Sequence, residues 1–196
     1  MSDKAVFVDR DGVINEMVYV TEHGYVDTPS MPSQFKIIKG VTRAITIAKK
    51  LGYKVIIISN QPGIAKGYYT KKTFEMITEK MHMAFKNSNV EIDDEYYCFH
   101  HPNAKLIKYR KKCTCRKPGI GLLQKAVSFH DLDLKNSYFI GDGIVDMEAA
   151  KRVGCKSIFI GNVNQTVTKL FKMKRIHPDY VAANLLDAIN FIKDMQ

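Results

Sequence analysis

The chain predicts an α/β fold, a mostly parallel central sheet with helices on both faces, and three observations lead there. Short apolar runs at residues 5–8, 54–59, 137–141 and 156–160 read as buried strands. Between them apolar residues recur at helical spacing, so strand-like and helix-like stretches alternate. Polar residues able to do chemistry stand directly after several runs, on the side where parallel sheets bind ligands.

Taken in order, the first run, Ala5-Val6-Phe7-Val8, ends in Asp9-Arg10-Asp11-Gly12-Val13. Residues 15–36 are polar and irregular, with Gly24, Pro29 and Pro32, and are expected to form a long functional loop. Val41, Ala44, Ile45, Ala48 and Leu51 mark a helix that Gly52 stops. Residues 54–59 form the second strand, and Asn60-Gln61-Pro62-Gly63 with Gly67 a loop. Thr70 is placed to cap a helix with Phe74, Ile77, Met81 and Phe85 on one face. An aromatic strand at 95–99 leads into a loop rich in cysteine, histidine and lysine. Pro118 holds Lys117 extended and suits the first turn of a helix over 119–129. After the strand at 137–141, Met147, Ala150 and Val153 mark a helix closed by Gly154. A strand at 156–160, a basic helix at 165–175, a weak strand at 179–182 and a helix at 184–194 complete the chain.

No repeat, low-complexity tract or linker interrupts the 196 residues, so 1–196 reads as one domain. With 45% hydrophobic and 26% charged residues, the composition is that of a soluble globular protein. No apolar stretch approaches the roughly 20 residues a membrane span needs. Met1-Ser2-Asp3-Lys4 has no signal-peptide layout, which predicts a cytoplasmic protein. A monomer is expected. The net charge of +10 fits a nucleic-acid partner, a small anionic substrate or a solvated basic surface. Part of it is clustered, in Lys105, Lys108, Arg110, Lys111, Lys112, Arg116 and Lys117.

Asp9 and Asp11 are the first chemical signal. If extended geometry persists past Val8, both point one way and Arg10 the other. Two convergent carboxylates attract a divalent cation and can divide labour as nucleophile and acid/base. A turn rich in Asp and Gly is the competing reading. The later strand ends decide between them. Ser59 and Asn60 follow the second strand, Arg116 and Lys117 the loop after the third, and Asp142 and Asp146 the fourth. Carboxylates, a hydroxyl beside amide donors, and a cation on one rim suit phosphoryl transfer, where positioning and charge neutralisation supply most of the catalysis.

The ordered set D-R-D-G-V, I-S-N-Q, R-K-P and G-D-G-I-V-D resembles the four signatures of the haloacid dehalogenase (HAD) phosphatase superfamily, from the first strand to residue 154. More narrowly, V-D-R-D-G-V-I-N, E-H-G-Y, S-N-Q-P-G-I-A-K-G-Y-Y-T and C-x-H-H-P with C-x-C-R-K-P resemble the D-glycero-D-manno-heptose 1,7-bisphosphate phosphatases. The phosphatase domain of histidinol-phosphate phosphatase is similar too. The resemblance implies a Rossmann-like HAD fold and an Mg²⁺-dependent phosphatase with an aspartyl-phosphate intermediate. Asp9 would be the nucleophile and Asp11 the acid, then the base. The Asp9 carboxylate, the Asp11 backbone carbonyl and Asp142 would hold Mg²⁺. Ser59 and Lys117 would hold the phosphoryl oxygens, with Asp146 orienting Lys117 or a metal-bound water. Glu22, His23, Gly24 and Tyr25 match the family's substrate loop, and Asn60, Gln61 and Arg116 are expected at the substrate.

The implied reaction is selective removal of one ester, the anomeric-side phosphate, from a sugar bisphosphate, the heptose losing its 7-phosphate to give heptose 1-phosphate. Gly143 stands where the family's bisphosphate enzymes often carry lysine. No insert is large enough for a folded cap domain, so the loops at 15–36 and 98–117 are expected to shape the pocket. Histidinol phosphate and a nucleic-acid 3′-phosphate are the rival substrates. A zinc-stabilised nucleic-acid-binding module is the rival of another class. The chain lacks the aromatic-basic alternation of single-strand binders, and such a module has no need of Asp9 and Asp11 together.

Cys98 and His100 precede Cys113 and Cys115 by a dozen residues. Three thiols and an imidazole complete a tetrahedral set, and a closed set of four holds a structural Zn²⁺. His101 competes for the fourth place, and the resemblance favours His100. Three thiolates and one Zn²⁺ leave the loop one negative charge, which the neighbouring lysines offset. Cys155 is expected to be a small buried hydrophobe.

Overall fold

The computed structural model describes residues 2–21 and 24–196. In chain order its strands are β1 (Lys4–Val8), β2 (Val18–Val20), β3 (Tyr25–Asp27), β4 (Tyr53–Asn60), β5 (Asp94–Cys98), β6 (Tyr138–Gly141), β7 (Lys156–Ile160) and β8 (Tyr180–Ala182). The helices are α1 (Val41–Lys50), α2 (Gly63–Lys66), α3 (Lys71–Asn87), α4 (Gly121–His130), α5 (Ile144–Val153), α6 (Gln165–Lys174) and α7 (Leu185–Asp194).

Six strands form one sheet in the order β5-β4-β1-β6-β7-β8, every neighbouring pair parallel. The strand period of two sorts the side chains. Val6, Val8, Val55, Ile57 and Ile140 face one layer with Ala44 and Ile45 of α1, Ile77 and Met81 of α3, and Ile189 of α7. Ala5, Phe7, Ile56, Ile58 and Phe139 face the other, with Leu122 and Leu123 of α4 and Ala149 and Ala150 of α5. Both faces are thus covered, which is why the strands read as continuous apolar blocks. Phe171 of α6 packs edge-on against Phe159 of β7, 5.2 Å between ring centres. The Thr70 hydroxyl accepts the Thr73 N–H at 3.1 Å and starts α3, as its position after the loop predicts.

Two local expectations are corrected. The stretch 15–36 is not structureless: β2 and β3 pair antiparallel as a small separate sheet. Three-residue strands in a polar stretch leave too few alternations to read as a pattern. Helix α4 starts at Gly121, so Pro118 lies ahead of it. The turn between them is closed by N–H donation from Gly119 to the Arg116 carbonyl (2.7 Å) and from Gly121 to the Thr114 carbonyl (2.9 Å). No helix among the described residues is long and apolar enough to cross a membrane.

Candidate active site

The site lies where β1, β4 and β6 end side by side. Asp9 directly follows β1, and its N–H donates to the Ile140 carbonyl of β6 at 3.0 Å. Asp142 directly follows β6, and α5 then brings back Asp146 one turn on. Carboxylate oxygens of Asp9, Asp142 and Asp146 all lie within 4.8 Å of one another. Gly12 makes room for this. It sits at φ +81°, and a Cβ there would collide with the Asp142 carboxylate.

Lys117 enters from the loop after β5 and is 2% exposed. Its Nζ lies 2.7 Å from Asp146 Oδ1 and 3.0 Å from Asp9 Oδ1, and donates to the Ile58 carbonyl at 2.7 Å. Burial opposes its charge, but Asp146 and Asp9 outweigh that and hold it above the ordinary lysine range. The backbone of Lys117 is clasped by Asn60, whose Oδ1 accepts its N–H at 2.9 Å and whose Nδ2 donates to its carbonyl at 3.1 Å. Ser59 is buried beside it, its Oγ accepting from Gln61 Nε2 at 3.1 Å.

Three carboxylates against one ammonium leave a net charge of −2 on this cluster when all are ionised. The electrostatics register the excess. Asp142, though exposed as a residue, has its carboxylate pushed up to about 7, first by desolvation, then by Asp9 and Asp146. Asp146 is raised too, by burial, against the pull of Lys117. Asp146 is consumed by Lys117 and by the Gly143 N–H, 2.9 Å away, which leaves Asp9 and Asp142 to face a cation. This donor set fits Mg²⁺, a hard cation that takes one or two carboxylates.

A pH dependence follows for metal binding. Cation and proton compete for Asp142, so Mg²⁺ affinity is expected to fall as pH drops from 8 through about 7. Without metal, the folded state holds a proton that the unfolded chain releases near pH 4. The stability from this carboxyl is therefore lost as pH rises toward 7. Calorimetric titration and melting curves at pH 6 and 8, with and without Mg²⁺, check both signs. Equal stabilisation by Mg²⁺ at the two values would count against the cluster as its site.

The direction expected for Arg10 is corrected. The chain turns after Asp9, with the Ile14 and Asn15 N–H groups both donating to the Arg10 carbonyl. That brings the guanidinium back onto Asp11, Nη2 lying 3.1 and 3.2 Å from its two oxygens. Gln61, expected at the substrate, is fully buried and donates to Asp11 Oδ2 at 2.6 Å. Sequence reasoning left Arg10 without a role and did not raise Asn15 or Tyr69. Asn15 donates to Asp11 Oδ1 at 3.0 Å, and the Tyr69 hydroxyl to Gln61 Oε1 at 3.3 Å. Of the expected substrate loop, Glu22 and His23 lie outside the described residues. Gly24 and Tyr25 sit at the tip of the β2–β3 hairpin.

Cys98 at the end of β5, His100, Cys113 and Cys115 converge a few residues before Lys117. Their sulfurs are 3.1–3.7 Å apart, and His100 Nδ1 is 3.3 Å from Cys115 and 3.8 Å from Cys98. These are free thiols, too far apart for disulfides. A tetrahedral Zn²⁺ with its usual bond lengths needs sulfurs about 3.8 Å apart, so the cage has the right ligands at nearly the right spacing. Desolvation, then Lys111, holds the His100 imidazole below its ordinary value, in the neutral form a ligand needs. His101 turns elsewhere and accepts the Asn103 N–H at 3.1 Å. The Arg116 guanidinium donates to the His100 carbonyl at 3.4 Å, so Arg116 is braced on the cysteine cage.

Fold and carboxylate cluster together define the class of HAD-like hydrolases, and a family model described as HAD-hydrolase-like matches residues 114–188. The chain is 36% identical over 192 residues to the D-glycero-β-D-manno-heptose-1,7-bisphosphate 7-phosphatase of Salmonella typhi, covering 98% of this chain and 96% of that one. It is 40% identical over 154 residues to the enzyme of the same name from Photorhabdus laumondii, covering 78% of each. A solved structure of D,D-heptose 1,7-bisphosphate phosphatase from B. bronchiseptica, complexed with magnesium and phosphate, superposes with a TM-score of 0.79. It is 25% identical and covers 98% of this chain and 99% of that one. The chain belongs to this family of HAD-like phosphatases.

Proposed function

We propose that the protein is an Mg²⁺-dependent phosphatase that removes the 7-phosphate of D-glycero-D-manno-heptose 1,7-bisphosphate and leaves the 1-phosphate. The observation that carries this is the net −2 cluster of Asp9, Asp142 and Asp146 around buried Lys117, at the carboxyl ends of β1 and β6. C7 bears a primary ester and the anomeric phosphate is the one at C1. The reading of the scissile group as anomeric-side is therefore corrected by the 7-phosphatase name the relatives carry.

Asp9 attacks phosphorus, and as its oxygen bonds the phosphoryl group the bond from phosphorus to the C7 oxygen breaks. Asp11 gives the departing alkoxide its proton. It then takes one from water as the water oxygen displaces Asp9. Lys117 neutralises the phosphoryl oxygens, fixed from behind by Asp146, and the Ser59 hydroxyl donates to them. Asp9, the Asp11 carbonyl and Asp142 would hold Mg²⁺, which when bound would supply the charge neutralisation that lets a carboxylate approach a phosphate dianion. Gly143 offers no side-chain charge to the distal phosphate, so Arg116 carries that contact. Phosphate release from the heptose bisphosphate, histidinol phosphate and a DNA 3′-phosphate, with and without Mg²⁺, tests the proposal. The heptose bisphosphate is expected to turn over fastest, only with the cation, and with the 1-phosphate retained. A faster 3′-phosphatase rate would overturn it in favour of the nucleic-acid reading.

The cysteine cage is read as a structural Zn²⁺ site, supported by its ligands and spacing. Unbridged thiols also suit a reducing, cytoplasmic setting. Cys115→Ser is expected to release the metal and lower kcat at least 10-fold, through disorder of Arg116 and Lys117. Metal content and protease sensitivity of residues 99–116 are the readouts. A metal-free variant with full activity would sink the idea.

A further inference from the structure

We propose that Arg10 is a positioning residue that sets the rotamer of Asp11, and with it proton transfer to the leaving group. The inference rests on the aspartyl-phosphate reading above.

Arg10 is 0% exposed, and a fully buried guanidinium needs a reason, because an apolar residue would fill the same space without a charge to desolvate. Three nitrogen-to-oxygen contacts bind it to Asp11: Nε to Oδ1 at 3.3 Å, Nη2 to Oδ1 at 3.1 Å and Nη2 to Oδ2 at 3.2 Å. Gln61 joins the two, accepting from Arg10 Nη2 at 2.9 Å and donating to Asp11 Oδ2 at 2.6 Å. Asn15 adds a donor to Oδ1 at 3.0 Å. Both Asp11 oxygens are therefore held, from three sides, by groups that are themselves buried.

The guanidinium in turn has little freedom. Its carbon lies 5.3 Å from the ring centre of Phe74 on α3 and 5.9 Å from that of Tyr97 on β5. Those two rings pack edge to face at 5.0 Å, so the guanidinium lies against a fixed aromatic pair. The backbone of the same residue reaches the nucleophile, its N–H donating to Asp9 Oδ1 at 2.8 Å. Arg10 thus touches both halves of the proposed chemistry without occupying the phosphate cleft.

The consequence is separable from a purely structural role. An acid/base out of place slows the breaking of a bond to an alkoxide, which must be protonated as it leaves. It does little to an aryl oxide, which leaves without a proton. Arg10→Met is expected to lower kcat on the heptose bisphosphate by about 10²-fold or more, the usual size of general acid catalysis. The burst of nitrophenol from p-nitrophenyl phosphate is expected to slow less than about 10-fold, short of that general-acid range. In an Asp11→Asn background, Arg10→Met is expected to add almost nothing, since the side chain's route to the reaction is gone and the backbone N–H on Asp9 is untouched.

Equal losses on the two substrates, or a full multiplicative loss on top of Asp11→Asn, would overturn the inference. Arg10→Lys and Asn15→Ala carry the same comparison should Arg10→Met fail to fold. Wild-type protein that released phosphate from neither substrate would refute the phosphatase reading itself, which is a different outcome from a wild type that turns over and an Arg10 variant that loses both substrates alike.

Discussion

Asp9→Asn is expected to abolish turnover, lowering kcat by roughly 10⁴- to 10⁶-fold, the range seen when a covalent nucleophile is removed. The amide keeps the size of the side chain and can still accept from the Arg10 N–H, so the fold has no reason to change. What is lost is the negatively charged oxygen that attacks phosphorus in the proposed mechanism. The cluster also drops from −2 to −1, so weaker Mg²⁺ binding accompanies the loss. Saturating Mg²⁺ separates the two effects. Activity that returned at high Mg²⁺ would assign Asp9 to the metal alone, and turnover that survived at any Mg²⁺ would end the aspartyl-phosphate mechanism. Trapping the wild-type chain with phosphate label on Asp9, absent in the variant, completes the test.

Lys117→Met is expected to cost both activity and stability, through different partners. Asp146 is buried, and the Lys117 ammonium lies 2.7 Å from it. Removing that cation strands a carboxylate away from water, a loss of about 3–5 kcal/mol for a buried pair broken on one side. For a domain of this size that lowers Tm by roughly 6–20 °C. Pairing the change with Asp146→Leu removes the stranded charge, so much of the stability is expected to return. Activity is not, because on the proposed mechanism the phosphoryl oxygens still lack their cation. Melting curves and turnover of the two single variants and the double variant give the cycle. A double variant as unstable as Lys117→Met would show that the ion pair is not what Lys117 contributes to the fold.

Much of this site was legible in the chain because each component is announced locally. An apolar run followed by Asp needs no knowledge of distant residues, and parallel topology then places all such ends on one rim. Asp9, Ser59 and Asp142 could be placed together on that ground, and Lys117 through the motif after the third strand. The cysteine cage was legible because four residues able to ligate a metal fall within eighteen residues, from Cys98 to Cys115.

The parts that stayed hidden depend on angles and on long-range pairs. The return of Arg10 onto Asp11 needs the turn after Asp9 and the positive φ of Gly12, which alternation along a strand does not foretell. Asn60 and Gln61 looked like substrate amides because they end a strand. In the structure they also hold Lys117 and Asp11, fifty or more residues away, and no local pattern records such a pairing. The β2–β3 hairpin was missed for the opposite reason: it is too short to show a period at all.

The position of β1 bears on how the chain is made. It emerges first yet lies third in the six-strand sheet, between β4 and β6. At common translation speeds the ribosome needs roughly 6–26 s to travel from the end of β1 to the start of β6. Throughout that interval one flank of a strand as apolar as Ala5-Val6-Phe7-Val8 has no neighbour to hydrogen-bond, a condition that invites wrong pairing. Asp9 waits equally long for Asp142, so a chain arrested before residue 138 holds Asp9 but cannot assemble the cluster around it. Nascent chains of this protein therefore pass through a long stage with one flank of β1 open, and the carboxylate cluster comes together only after β6 has been made.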